Sequence, residues 1–411
     1  MKSIKKLTVL YEGWGQRWPL GTLADDGRQI IFEYSAEALT NGIEFSPRHL
    51  KLRPSAYGPF PKEIGYLPGL IYDCLPDGWG LLLMDRLLRR AGLDTTRISP
   101  LDRLAFIGNR AMGALAFAPP QNESAETVDW SLPQLAKAAQ NVSNDDVKAL
   151  RALALAGGSP HGARPKALIT FDPVTRTVST AENAIGKPWL VKFPAQSEHT
   201  EVCAIEHVYA QMARECGITM GPTEYFDLGT DLAAFGTQRF DRVGQLRVPV
   251  HSLAGALHAD FRIPCLDYET VLRATFFFTQ NAHEVMAAFR LCVFNVVFNN
   301  RDDHAKNFSL RMNEDHRWDF APGYDLTFNP GPGGHHQTSV MGEALAPGRT
   351  HLLALAAKLG LRPREVQQII DRTCAVAEGL AMALRDAKVR RESVGTIAHA
   401  VASNVRRCSD A

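Results

Sequence analysis

The chain has no excess of either charge. Its 411 residues carry 45 basic and 44 acidic side chains, a formal charge of +1. That balance does not announce a binder of nucleic acid or of a membrane surface, although local basic patches remain open. No apolar run approaches the ~20 residues that a bilayer-spanning helix needs. The start, MKSIKKLTVLYEGW, has basic residues but only a very short apolar stretch, unlike a secretory signal. The seven cysteines (74, 203, 216, 265, 292, 374 and 408) are scattered, with no CxxC pair. An odd, dispersed set argues against a disulfide frame or a zinc site and for reduced thiols in a cytoplasmic protein. Cys292, among Leu291, Val293 and Phe294, reads as core. Internal repeats and low-complexity tracts are absent as well.

What is present suffices for two or three domains, at roughly 100–200 residues each. Apolar residues make up 45% of the chain, ample for a packed core. LADDGRQIIFEY reads as a hairpin, with Asp-Gly between two apolar runs. Helical character follows Pro47–Pro61 in LPGLIYDCLPDGWGLLLMDRLLRRAGL, where Leu81, Leu82, Met84, Leu87 and Leu88 keep a period near 3.6. IGNRAMGALAF (107–117) predicts a strand, 119–132 a polar linker and 133–156 a helix. Strands are expected at 166–172 and 187–194, and an amphipathic helix at 200–218 that Gly217 ends. From about 265 onward the pattern is helical, interrupted by a loop-rich block at 299–350. The first two thirds are therefore mixed α and β, the last third mainly helix.

One stretch stands out. FNNRDDHAKNF (298–308) packs polar residues densely after a buried-looking helix, LCVFNVV. Asp302 is followed five residues later by Asn307, and Asp325 by a further 18. Protein-kinase catalysis uses a carboxylate base and an Asn in one loop, as D-x-x-x-x-N, and a second Asp for Mg²⁺. Hard Mg²⁺ prefers oxygen ligands, which Asn307 and Asp325 supply. His304 falls where a donor could reach a transferred phosphoryl group. Alone, the block also suits a polar helix-capping loop or, through His304, a transition-metal site.

Phosphoryl transfer from ATP also needs a Gly-rich loop and a lysine. LAGGSPHGARPKALI (155–169) offers the loop. Its G-x-x-x-x-G runs from Gly157 to Gly162, but Ala163 stands where a Walker A lysine belongs. Lys192 lies in the strand WLVKFP, and alternation puts Leu190 and Lys192 on one face, Val191 and Phe193 on the other. An inward lysine wants a partner, and Glu201 and Glu206 are the candidates. Asp260 and Arg262 read as an interlobe ion pair, although they could equally bind a protein substrate. The paired His335 and His336 lie in a Gly/Pro-rich loop (329–343) with no third metal ligand evident.

The order of these elements, GGSPHGARPK, LVKFP, QRFDR, NRDDHAKNFSL and WDFAPGYDLTF, resembles the HipA family over nearly the whole chain. LYEGWGQRWPLGTL, IIFEYS, LPDGWG and IGNRAMGALAF are similar to that family's small N-terminal subdomain. These are bacterial serine/threonine kinase toxins of type II toxin–antitoxin systems. The resemblance implies an α+β, two-lobed, protein-kinase-like fold, closer to phosphoinositide kinases, with a mixed α/β N-terminal lobe and a helical C-terminal lobe. The expected division is 1–120, 121–260 and 261–411.

The resemblance also implies roles. Asp302 would be the catalytic base, and Asn307 and Asp325 the Mg²⁺ ligands. Lys192 would contact the ATP phosphates, with Gly162 in the loop beside them and His304 and Tyr324 by the nucleotide. Gln238 and Phe240 of QRFDR would meet the adenine. Gln238 stands where the prototype commonly has an acidic residue, so adenine contacts are expected to differ slightly. Ser159 matches a serine that such kinases autophosphorylate. A helix-turn-helix antitoxin, which makes most of the operator DNA contacts, is implied as partner. A protein substrate is implied too, in prototype members an aminoacyl-tRNA synthetase. The alternatives are a non-catalytic, ATP-binding co-repressor and a kinase of a small molecule or lipid.

Overall fold

The structure is a computed structural model. It describes residues 4–120, 129–140, 150, 153–154, 157–181, 184–229 and 231–409. The first sheet is antiparallel, ordered β3-β2-β1-β4, from β1 (Lys6–Tyr11), β2 (Trp18–Asp25), β3 (Ile30–Tyr34) and β4 (Leu115–Ala118). The Asp-Gly turn behaves as its chemistry predicts. The Asp26 carboxylate accepts from the backbone N–H of Arg28 and Gln29, each at 2.8 Å, an Asx turn that closes the hairpin. Helices Gly69–Tyr72, Gly78–Arg90 and Pro100–Ile107 follow the Pro-rich segment.

The expected strand at 107–117 is shorter and later. Pro100–Ile107 is a helix with a Ser99/Asp102 capping box, and Gly108, at φ +59°, ends it. A loop then runs to β4. Arg247 holds that loop by donating to the carbonyls of Asn109, Ala111, Gly113 and Leu115. Tertiary hydrogen bonds thus take the backbone groups that a longer strand would have used.

The second sheet, ordered β6-β5-β7-β9-β8, is antiparallel. It comprises β5 (Lys166–Asp172), β6 (Thr177–Ser179), β7 (Lys187–Lys192), β8 (Thr223–Asp227) and β9 (Ala233–Gln238). Helix Glu201–Glu215 sets Cys203 and Ala210 against Ala233 and Phe235. The opposite face buries Ala167, Ile169, Phe171, Trp189, Val191 and Phe193. Trp79 and Leu83 of helix Gly78–Arg90 join that second cluster, so the N-terminal region packs onto the second sheet. The polar segment before helix Leu132–Gln140 is tied down: Asp129 accepts from the Thr180 N–H at 2.8 Å. The rest of the expected linker, 121–128, and residues 141–149 of the expected helix lie outside the described residues.

The last third is helical, as expected, but not throughout. Val250–Ser252, Ser309–Met312 and Trp318–Phe320 form a three-stranded antiparallel sheet. Around it pack helices Tyr268–Thr279, Ala282–Val297, Arg349–Lys358, Pro363–Glu378, Leu380–Asp386 and Arg391–Ser409. Helix Ala282–Val297 is the central one. Asn281 caps its start, accepting from the His283 N–H at 3.0 Å. It buries ten residues, Cys292 among them, and delivers the polar block at its end. No helix among the described residues is long and apolar enough to cross a membrane.

Candidate active site

Polar groups at the end of a buried helix need partners. Asn295 donates to the Tyr268 hydroxyl, and Asn300 to the Asn295 amide oxygen, both at 2.9 Å. Arg301 and Asn404 donate to Asn299. Asp303 is the centre of this network. Its carboxylate accepts from the Tyr268 hydroxyl at 2.9 Å and the Gln337 N–H at 2.8 Å. It also pairs with His336 Nδ1 at 2.9 Å, in the Gly/Pro-rich loop. His336 is therefore spoken for, and among the described residues no His, Cys, Asp and Glu cluster could hold a metal by itself.

Asp302 goes the other way. Its side chain is 47% exposed, whereas that of Asp303 is at 0%. It faces a cleft of about 990 Å³ between the second sheet and the helical part. Asn307, His304, Tyr324 and Asp325 line the same cleft, with Lys192, Gly162, Gln238 and Phe240 opposite. Asn307 Nδ2 donates to the Asp302 carbonyl at 2.6 Å, so the amide oxygen is the end left to accept a cation. His304 Nε2 lies 4.0 Å from the Asp302 carboxylate. The Tyr324 hydroxyl contacts Ser309 and donates to the Lys306 carbonyl, both at 2.6 Å. Its ring lies 5.3 Å from that of Phe240.

The strand alternation holds. Val191 and Phe193 are fully buried in the sheet's core, and Leu190 and Lys192 line the cleft. The Lys192 ammonium donates to Glu206 at 2.6 Å and also to Asp325. Glu201, the other candidate partner, is taken instead by Arg390 at 2.6 Å and Ser393 at 2.8 Å. Five residues apart on one helix, the two glutamates point about 140° from each other. Glu206 shares the face of helix Glu201–Glu215 that looks at β7, while Glu201 at its start meets the C-terminal helices. The Asp260–Arg262 pair is likewise not interlobe. The two bond to each other at 2.7 Å within one loop, and Arg262 reaches on to the Glu63 carbonyl.

Electrostatics follow from burial and neighbours. Burial disfavours the Lys192 ammonium, but Asp325 and Glu206 outweigh it and hold it protonated. Burial likewise opposes the Asp325 anion, and Lys192 and Lys166 keep its carboxyl well below the usual range. For Asp302 the balance reverses. Burial raises its carboxyl, His304 pulls it down, and Asp325 pushes it up, leaving it above its ordinary value. A less acidic carboxylate in reach of the cleft is a better proton acceptor. Lys166, opposite Lys192 across β5 and β7, is pushed down to about 8 by burial.

The Gly-rich loop meets residues that sequence reasoning missed. Arg164 pairs with Glu198 at 2.9 Å and Glu206 at 3.2 Å. Asp77, in LPDGWG, accepts from the Gly162 N–H at 2.5 Å and the Lys306 ammonium at 2.8 Å. The Trp79 N–H donates to the Gly162 carbonyl at 3.2 Å, and His161 Nε2 to the Leu75 carbonyl at 3.0 Å. Burial drops His161 to about 4, so its neutral ring donates from Nε2. Gly78, at φ +42°, permits the approach, since a Cβ there would stand 2.6 Å from the Gly162 oxygen. Ser159 is fully buried off the cleft lining, its hydroxyl accepting from the Met112 N–H at 2.7 Å.

Comparison with known proteins bears on the whole chain. Residues 158–380 match the model of the HipA-like C-terminal domain, and residues 11–118 that of the HipA N-terminal domain. No curated protein matches the sequence. Among solved structures, the chain is similar to one of the HipA, HipB and operator DNA complex of the Shewanella oneidensis MR-1 toxin–antitoxin system. The TM-score is 0.72 at 18% identity, covering 98% of this chain and 96% of that one. The Helicobacter pylori proinflammatory kinase CtkA aligns at a TM-score of 0.36 and 11% identity, over 55% of this chain and 89% of that one. That score is too low to carry an argument.

Proposed function

The chain belongs to the HipA family, and we propose that it is an ATP-dependent protein serine/threonine kinase acting as the toxin of a toxin–antitoxin pair. The observation that carries this reading is the convergence of Lys192, Asp302, Asn307 and Asp325 on one cleft. The adenine would lie against Phe240 and the backbone near Gln238. Lys192, fixed by Glu206, would donate to the phosphates in place of its bond to Asp325. Asp325 and the Asn307 oxygen would then hold Mg²⁺, which neutralises phosphate charge during transfer. Two oxygen ligands fit that ion, which usually completes its shell with phosphates and water.

Asp302 would accept the proton of the incoming hydroxyl as its oxygen bonds the γ-phosphorus and the bond to ADP breaks. Ser159 would be an autophosphorylation site. Its hydroxyl must first leave the Met112 contact, and a phosphate carrying close to two charges could not return to that buried place. Phosphorylation would therefore hold the loop out and switch the kinase off. A helix-turn-helix antitoxin is the proposed partner, by analogy with the HipB of the Shewanella complex. A translation protein such as an aminoacyl-tRNA synthetase is the proposed substrate.

The test is incubation with Mg²⁺ and labelled ATP, with phosphosites mapped by peptide mass spectrometry. Label at Ser159 in the wild type, reduced about 10²–10⁴-fold in Asp302→Ala, is the expected result. Equal labelling of both chains would remove Asp302 from the chemistry. ATP binding without any labelling would favour a co-repressor.

A further inference from the structure

One peptide plane in the Gly-rich loop is held at both ends. The His161 carbonyl accepts from the Lys166 ammonium, and the N–H of the same peptide, at Gly162, donates to Asp77. Its neighbours are fixed separately, the Gly162 carbonyl by the Trp79 N–H and the His161 ring by Leu75. The loop therefore turns a carbonyl toward Lys166, beside Lys192, and its amide away toward the N-terminal region. Phosphate is bound by amides and ammoniums and repelled by carbonyl oxygens. In this position the peptide opposes the ligand that the loop would serve.

We propose that the His161–Gly162 peptide is a two-position element that Asp77 and Lys166 hold reversed, and that nucleotide phosphates turn it, taking over Lys166 and the Gly162 amide. The inference rests on the kinase reading of the cleft. Asp77 is then a positioning residue acting from the N-terminal region, and Lys166 a phosphate contact in addition to Lys192. Gly162 carries the needed freedom. It sits at φ +109°, and reversing the plane turns that angle by roughly 180°, to about −70°, which any L-residue adopts. A Cβ on Gly162 would also stand 2.6 Å from the Lys166 nitrogen in the present position. The usual expectation for a phosphate-loop glycine is thereby inverted. Alanine here should disfavour the present position and leave the reversed one open.

The experiment is titration calorimetry of the full chain with MgATP and, separately, with adenosine, which has no phosphates. Asp77→Asn weakens the charge-assisted bond to Gly162 and can donate to the reversed carbonyl. It should tighten MgATP about three- to tenfold and leave adenosine within about twofold. Gly162→Ala should change MgATP in the same direction, and Lys166→Met should weaken it about tenfold or more. Hydrogen exchange of the Gly162 amide, slow in the ligand-free wild type, should quicken in Asp77→Asn. If Asp77→Asn and Gly162→Ala both weaken MgATP, the Asp77 contact builds the phosphate site and the inference is overturned. An equal change for adenosine overturns it too. A wild type that binds adenosine but shows no gain from the phosphates overturns the kinase reading itself, and the inference with it.

Discussion

Two neighbouring aspartates should come apart under mutation. Asp303 is wholly buried and its carboxylate accepts from Tyr268, His336, Gln337 and Thr338. Asp303→Ala leaves those donors with nothing to replace the carboxylate. Each buried donor left unsatisfied costs about 1–3 kcal/mol, but the four share one cavity and their losses do not add, so about 3–5 kcal/mol is expected in total. For a chain of this size that is a fall on the order of 3–6 °C in the thermal midpoint. Asp302→Ala removes a side chain that is half exposed and whose one ion-pair neighbour among the described residues, His304, is 4.0 Å away. Its cost should stay within about 1 kcal/mol. Labelling should fall in both variants for different reasons. Asp302→Ala loses the base in a folded protein. Asp303→Ala loses the loop that carries the base, and should regain part of its labelling on cooling below its midpoint. Scanning calorimetry beside the labelling assay separates the two. If Asp302→Ala proves the less stable variant, or Asp303→Ala melts like wild type, the division of this pair into a chemical and a structural member is wrong.

Other expectations follow from single contacts. Lys192→Met should abolish labelling and weaken MgATP at least about tenfold, because the ammonium is lost and the Glu206 carboxylate is left unpaired beside the phosphates; tight MgATP binding by that variant would remove Lys192 from the nucleotide. Glu201→Ala should cost about 1–3 kcal/mol by freeing Arg390 and Ser393, yet leave nucleotide affinity unchanged, as thermal melts and calorimetry would show. Acting as a base, Asp302 must be ionised. Its raised carboxyl predicts an acidic limb in the rate profile above the ordinary value of 3.8, and His304→Gln should move that limb up, since His304 favours the anion. Burial opposes the Asp241 anion, but Arg239 and Arg242 more than offset it and hold the folded carboxyl far below 3.8. That stability is present above 3.8 and is lost as the pH falls toward the folded value, so the gap between wild type and Asp241→Asn should narrow in acid urea melts.

The local grammar of the sequence was readable wherever neighbours decide the structure. Strand β5 falls on the residues its alternation marked, and the Asp-Gly hairpin closes as an Asx turn. Lys192 faces the cleft because β7 alternates. The cleft-lining set was legible because D-x-x-x-x-N keeps base and amide in one loop, where Asn307 bonds the Asp302 carbonyl. The failures share a cause. The strand expected at 107–117 begins only at Leu115, because Arg247, more than 130 positions away, claims carbonyls of the loop before it. Glu201 was a plausible partner for Lys192 by distance along the chain, but Arg390 lies nearer in space. Asp77 gave no sign of touching Gly162, 85 positions later. Pairings across the chain have no period, so pattern reading cannot see them.

The same limit appears in reverse where the structure offers a familiar constellation that does no chemistry. Ser46 Oγ lies 3.1 Å from His251 Nε2, and His251 Nδ1 lies 2.7 Å from Asp73. By distance alone that is a hydroxyl, a base and an orienting carboxylate. Ser46 and His251 are both buried, however, and among the described residues lining the cleft neither occurs. A nucleophile without room for a reacting atom beside it has nothing to attack. Asp73 is moreover shared, accepting from the Ser252 N–H at 2.8 Å and its hydroxyl at 2.6 Å. The chain of bonds instead fastens the N-terminal region to the strand Val250–Ser252, which pairs directly with Ser309–Met312 after the polar block at 298–308. Asp73 and Asp77 are four residues apart, and one grips the floor of the cleft while the other grips its Gly-rich loop. That ties the N-terminal region to both sides of the cleft. Anything that shifts this region should therefore be felt at Gly162. Substituting Ser46 by Ala should accordingly leave labelling intact and lower only the melting point, whereas loss of labelling in a folded Ser46→Ala chain would give the buried triad a role denied to it here.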